Sequence, residues 1–493
     1  MYQKPNLSMI RPLCKKLLLS LVISTLLTQP NHVAFADDLP SIGTVASATL
    51  SIDQEKIYGD VYMRTIRAHQ PVISDPVLNE YISSLGHRLV ASANDVRTPF
   101  TFFLIKNREI NAFAFFGGYV ALHSGLFLHT KTESELASVM AHEIAHITQR
   151  HLARSIEAQA KRSPATMAAM AGSILLAIAA PEAGIAAMTA TSAGTMQSQI
   201  NYTRANEKEA DSFGIATLAK AGFNPEAMPN FFSKLADEYR YASTPPAMLQ
   251  THPLPESRIT DSRMRADSYT ATQPSTSLNF QLAKVRVITR YTGLPEVQAK
   301  DWLERQHKKG YLLDDAYQYG LALLELDNNN SADAEKRLSS LIADAPLNTF
   351  YLDAQSDVFL AQNTPKQAIG MLETAIKQSP GNSVLTINLA NCMYHADDPD
   401  KAIRLLQRYT HDHPNDTNGW QLLAEINAKQ GNEAEELAAR AELVALHADW
   451  GKAIHYYSEA SQIAPLGGPM QARYDARIDE LILKRQQMAD IEN

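Results

Sequence analysis

Apolar residues along this 493-residue chain change their spacing several times, and each change marks a structural element. From Asp37 to Asn94 the pattern is mostly helical. Val77, Leu78, Ile82, Leu85 and Leu89 share one face of a helix predicted over Pro76 to Ala93. Phe100 to Ile105 then reads as a strand, and Asn111 to Leu122 as a hairpin turning at Gly117 and Gly118. At Thr132 the helical period returns. Thr132 and Glu135 have the spacing of a capping box, with Leu136, Val139 and Met140 behind them. No Gly or Pro follows until well past His146, so this helix is expected to run on through Gln149, Arg150 and His151. A further helix carries Asn206 to Asp211 and continues through Phe213, Ile215 and Leu218.

The second half repeats itself. Pro346, Pro380 and Pro414 are 34 residues apart, and Pro465 follows 51 later, one and a half periods. Twelve residues before each stands Ala334, Ala368, Ala402 or Ala453, and twelve earlier again Ala322, Ser356, Ala390 or Ala441. Small residues there let paired helices approach, and the proline ends the second helix of each pair. This is the tetratricopeptide pattern. The extra half period holds Trp420 to Lys429, read as an inserted helix. Each repeat in such an array touches chiefly its neighbours, so the array is expected to be separable in stability.

A chain of this length needs more than one core. Residues 1–36 form a signal peptide: Lys4, Arg11, Lys15 and Lys16 are its basic region, Leu17 to Leu27 its apolar stretch, and Ala34-Phe35-Ala36 its cleavage site. Removing it takes the formal charge from −8 to −12, which argues against a nucleic-acid partner. Residues 37–267 form a first domain, 268–309 a linker with connecting helices, and 310–493 the repeat domain. Of the two cysteines Cys14 leaves with the signal, and Cys392 is an inert core thiol. The stretch Ala165 to Thr191 is rich in Ala, Met and Ile, is charged only at Glu182 and is interrupted by Pro181. It reads either as a buried helical hairpin or as an apolar flap that touches a membrane or covers a site.

The chemistry lies on the Thr132 helix. His142 and His146, four apart, project from one face, and two neutral imidazoles so placed can share a metal ion, most often Zn²⁺. Glu143, one residue off that line, can act on water beside the ion without ligating it. A catalytic zinc takes three protein ligands and keeps one position open. Glu207 and Asp211 share a face of the later helix whereas Glu209 points away, so Glu207 is the third ligand and Asp211 supports the site.

His142-Glu143-Ile144-Ala145-His146 with Glu207, Ala210 and Asp211 resembles the M48 family of zinc metallopeptidases. Asn111 to Ala114 with Gly117-Gly118-Tyr119, and Thr251-His252-Pro253 with Arg258-Ile259, are similar to two further motifs of that family. The resemblance implies a mainly α fold, a zincin-like metallopeptidase domain with a small β-sheet followed by an α-helical solenoid. It also implies one Zn²⁺ per chain on His142, His146 and Glu207, with Glu143 as catalytic base and Asp211 assisting. Substrate would lie as an added strand along Asn111, Ala112, Phe113 and Ala114. His252 is expected as a regulatory fourth ligand that closes the open position. Signal, peptidase and repeats together resemble a secreted, periplasmic branch serving outer-membrane proteins. Its substrates would be unfolded or stalled outer-membrane proteins, and its repeats would dock the outer-membrane β-barrel assembly machinery. The alternative is chiefly a chaperone or scaffold, with proteolysis held latent.

Overall fold

The structure is a computed structural model and describes residues 50–160, 193–240, 246–270 and 277–492. The predicted signal peptide and the stretch Ala165 to Thr191 lie outside the described residues.

The amino-terminal half opens with two helices, α1 (Ile52–His69) and α2 (Pro76–Val90). Asp75 caps α2 by accepting the backbone N–H groups of Val77 and Leu78. A three-stranded sheet follows: β1 (Thr101–Ile105), β2 (Ala112–Phe115) and β3 (Tyr119–His123), in the order β1-β3-β2. β3 pairs parallel with β1 and antiparallel with β2, with Ala112 opposite Leu122 and Phe115 opposite Tyr119. The hairpin turns at the predicted glycines. Gly118 has φ +86°, and a Cβ there would lie 1.8 Å from the Pro99 carbonyl oxygen. β2 is therefore an edge strand.

After the short helix α3 (Leu126–His129) comes α4 (Glu133–Thr148), which is buried almost all round. Thr132 caps it by accepting the N–H of Glu135. The Glu135 carboxylate accepts from Lys131 N–H, one residue before the reciprocal bond the capping box predicts. The helix does not continue to His151. It ends at Thr148, Arg150 takes a left-handed φ of 53°, and α5 (His151–Ala160) starts in a new direction. The cause is a long-range contact that local spacing does not show. Arg150 donates to the Glu55 carboxylate and to the Leu50 carbonyl oxygen.

Helix α6 (Ala193–Lys220) packs against α4. At Gly214 the two come so close that a Cβ would sit 3.3 Å from the His142 backbone nitrogen. That approach sets α6 beside the histidines. Helices α7 (Ala227–Tyr239), α8 (Ala247–Thr251) and α9 (Glu256–Ala266) complete this half.

From α10 (Leu278–Arg290) and α11 (Glu296–Lys308) onward the chain is helical throughout. The array runs α12 (Asp314–Asp327), α13 (Ser331–Asp344), α14 (Thr349–Ala361), α15 (Pro365–Gln378), α16 (Ser383–His395) and α17 (Pro399–Asp412). It continues through α18 (Thr417–Gln430), α19 (Glu433–Ala445), α20 (Trp450–Ile463) and α21 (Pro469–Glu492). All eight small residues of the repeat pattern are buried, and each marker proline lies just past a helix end. Helix α18 occupies the extra half period. Cys392 is buried in α16, which pushes its thiol up to about 12.

The two halves do not separate. One hydrophobic cluster runs from Leu78 and Leu85 through Met140 and Phe280 to Leu338, Phe350 and Val384. Across the same seam the guanidinium of Arg286 bonds Asp75 at 2.6 Å and Asp353 at 2.8 Å. Further along the array, Arg64 on α1 donates to the Ala445 carbonyl oxygen and lies over the Trp450 ring. The expected independence of the array is thus replaced by a shared core.

Candidate metal centre

His142 and His146 leave α4 one turn apart, and their Nε2 atoms converge to 3.0 Å. Glu207, on the face of α6 turned toward them, brings one carboxylate oxygen within 3.3 Å of His142 Nε2 and the other within 3.5 Å of His146 Nε2. His252 stands at the end of α8 with its Nδ1 3.1 Å from Glu207 and 3.4 Å from His142 Nε2. One ligand atom from each of the four residues lies within 4.8 Å of the others. The structure therefore brings His142, His146, Glu207 and His252 together.

Around these four the polar partners are specific. Asp211 Oδ1 lies 3.0 Å from His142 Nδ1. Arg258 grips the same carboxylate with two 2.8 Å bonds and reaches Glu207 and the Pro253 carbonyl oxygen with its remaining nitrogen, each at 2.8 Å. One buried guanidinium thus ties both acids of α6 to the loop that carries His252. Burial opposes ionisation of Glu207. The charge of His252 and the hydrogen bond from His142 outweigh it and hold the carboxyl well below the usual range. Burial pushes His146 well below the ordinary histidine value, so this ring is neutral, as a ligand must be.

Glu143 is different. Its side chain is 1% exposed, and neither carboxylate oxygen has a hydrogen-bond partner among the described residues. His252 Nε2 lies 3.6 Å from one of them. A buried carboxylate with no partner is costly in a folded protein unless a ligand or reacting group meets it. On β2, Ala112 to Phe115 pair with β3 on one side, and the Oδ1 of Asn111 is likewise buried without a partner.

Comparison with known proteins gives these groups a family. Residues 76–266 match Peptidase family M48, and residues 319–383 and 359–426 match tetratricopeptide repeats. The chain is 63% identical to a provisionally named beta-barrel assembly-enhancing protease of Vibrio cholerae, over 92% of this chain and 94% of that one. It is 48% identical to the beta-barrel assembly-enhancing protease of Escherichia coli K12, over 96% and 97%. Metalloprotease LoiP of Escherichia coli K12 is 26% identical over 51% of this chain and 98% of its own. The chain belongs to peptidase family M48. It is a metalloendopeptidase carrying a tetratricopeptide array, and its family implies a metal ion.

The residues present fit such an ion. The donor set is two imidazoles, a carboxylate and a further imidazole, and the unpartnered carboxylate of Glu143 stands beside it. Several partners escaped the sequence reading. Arg258 was visible only as part of a motif, with no role attached. Glu209 does leave the inner face of α6, but it bonds His151 Nε2 at 3.2 Å and Arg154 at 3.0 Å. His151 in turn lies 2.9 Å from His146. No spacing rule finds that contact, because it depends on the break at Arg150.

Proposed function

We propose that the protein is a periplasmic zinc metalloendopeptidase that assists outer-membrane β-barrel assembly and degrades chains that stall. The observation that carries this reading is the bare carboxylate of Glu143 beside the converging nitrogens of His142 and His146. His142, His146 and Glu207 would hold the zinc ion. Bound there, the ion supplies Lewis acidity to the peptide carbonyl and lets water act as a nucleophile near neutral pH. Glu143 takes the proton from the attacking water and delivers it to the leaving amine. Asp211 holds His142 in the orientation that turns Nε2 inward, and Arg258 fixes Asp211 and Glu207 together. An unfolded substrate lies along the free edge of β2 from Asn111 to Ala114, held by backbone bonds that read little sequence.

The signal peptide supports a periplasmic address, and the names of the full-length relatives support β-barrel proteins as clients. Among the described residues no helix is long and apolar enough to cross a membrane. The repeat array is read as the surface that docks the assembly machinery. The position of His252, 3.1 Å from Glu207, supports its role as a fourth ligand that keeps the enzyme latent. Latency keeps the scaffold reading alongside the protease one. A strain carrying Glu143→Gln separates them, because a scaffold keeps its cellular role without cleavage. The direct test incubates zinc-loaded protein and its His252→Ala variant with an unfolded β-barrel protein. Cleavage that a chelator abolishes and zinc restores is expected, and intact substrate with both proteins would overturn the reading.

A further inference from the structure

The inner nitrogens of the two α4 histidines face the centre, and their outer nitrogens are held in different ways. His142 Nδ1 meets a carboxylate, Asp211. His146 Nδ1 meets another imidazole: His151 Nδ1, at 2.9 Å. His151 is 3% exposed and offers its other nitrogen, Nε2, to Glu209 at 3.2 Å. Arg154, one turn along α5, holds the same Glu209 oxygen at 3.0 Å. The direction of every proton in this chain follows from donor chemistry. An ionised carboxylate only accepts, so His151 Nε2 carries hydrogen and donates to Glu209. In the neutral ring Nδ1 is then the acceptor, and the proton between the two rings belongs to His146 Nδ1. That tautomer leaves the lone pair of His146 Nε2 free and pointed at the centre.

We propose that His151, anchored by Glu209 and Arg154, is a positioning residue that fixes the tautomer and rotation of His146 for metal binding. The inference rests on the reading of His146 as a ligand. The fold arranges for the contact. On an unbroken helix a residue five places beyond His146 would sit about 140° around the axis, facing elsewhere. The left-handed Arg150, pinned to Glu55 and Leu50, turns the chain so that the first residue of α5 comes back against the last turn of α4. A left-handed non-glycine residue is unfavourable by itself, so the break is held by its contacts and not by local preference.

The test measures zinc affinity on the full-length protein, stripped of metal and titrated against a chromophoric chelator, with far-UV circular dichroism as the check on folding. His151→Leu fills the space but removes the acceptor, and should bind zinc about tenfold to a hundredfold more weakly with an unchanged spectrum. His151→Asn places an amide oxygen near the position of Nδ1 and should recover most of that loss. Wild-type affinity in His151→Leu would overturn the proposal. Equal weakness in both variants would also overturn it, since packing alone would then explain the effect. Should His151→Leu fail to fold, Glu209→Leu carries the test: a several-fold loss supports the relay and wild-type affinity refutes it. His146→Ala is the control. If it binds zinc as tightly as wild type, the reading of the centre fails and takes this inference with it. If it loses zinc while His151→Leu does not, only the relay fails.

Discussion

Two clusters of buried charge lie in this molecule, and they are finished to different degrees. At the seam between peptidase and repeats every oxygen of Asp75 is used. One accepts two backbone N–H groups of α2, and the other accepts from Arg286 and the Tyr291 hydroxyl. Arg286 also donates to the Tyr319 hydroxyl and pairs with Asp353, which Asn388 supports. At the metal centre the acids on α6 are tied down as firmly, by Arg258. The acid on α4 is not: among the described residues Glu143 has no hydrogen-bond partner on either oxygen. Buried acids paired with a cation, as Asp75 and Asp353 are with Arg286, fix a fold, whereas a buried acid without one is open to chemistry. The difference lies in which oxygens are met, not in how deeply the charges are buried.

Emptying the centre should cost the enzyme most. His142→Ala, His146→Ala and Glu207→Ala should each lose the metal, seen by elemental analysis, and cleavage should fall to background. Glu209→Ala should retain metal at weaker affinity, and the reverse outcome would move the third ligand to Glu209. Next in size is damage to the seam. Arg286→Met leaves Asp75 and Asp353 buried without their cation and should lower unfolding stability by about 3–5 kcal/mol in urea titration. Deleting residues 310–493 exposes the same surface and should yield a chain that does not fold stably. A well-folded, metal-binding fragment would show the shared core to be dispensable.

Two further substitutions should do less damage. His252→Ala should keep metal and raise the cleavage rate several-fold, because the imidazole proposed to close the open position is gone. A lower rate with metal intact would make His252 a substrate-binding residue. The last concerns Asp357 at the seam, where burial, with Asp353 beside it, pushes the carboxyl up to about 7. The folded pKa exceeds the unfolded value near 4, so the folded protein binds more protons between them. Asp357 thus contributes stability in full below about pH 4, and loses it as pH rises through 7. Asp357→Asn should flatten that slope in thermal denaturation from pH 4 to 7. An unchanged slope would place the titration elsewhere.

The two clusters also differ in how far the sequence reveals them. His142, Glu143 and His146 are neighbours on one helix, and Glu207 with Asp211 on another, so helical spacing alone sets each group on one face. The repeat is legible for the same reason: Ala334 and Pro346 recur at fixed local distances. Asp75, Arg286 and Asp353 are far apart in sequence and share no motif. Their meeting depends on how α2, α10 and α14 dock, which spacing does not encode. His151 lies between these cases. It is close to His146 in sequence, yet the contact is made only because Arg150 is drawn to Glu55.

In the proposed mechanism Glu143 acts on water without holding the metal, and one paired measurement addresses this. Metal content and cleavage of an unfolded protein are determined on the same samples of wild type and Glu143→Gln. One zinc ion per chain in both, with cleavage reduced by about 10²–10⁴ in the variant, is the predicted result. Loss of zinc from Glu143→Gln, or cleavage at the wild-type rate, would contradict it.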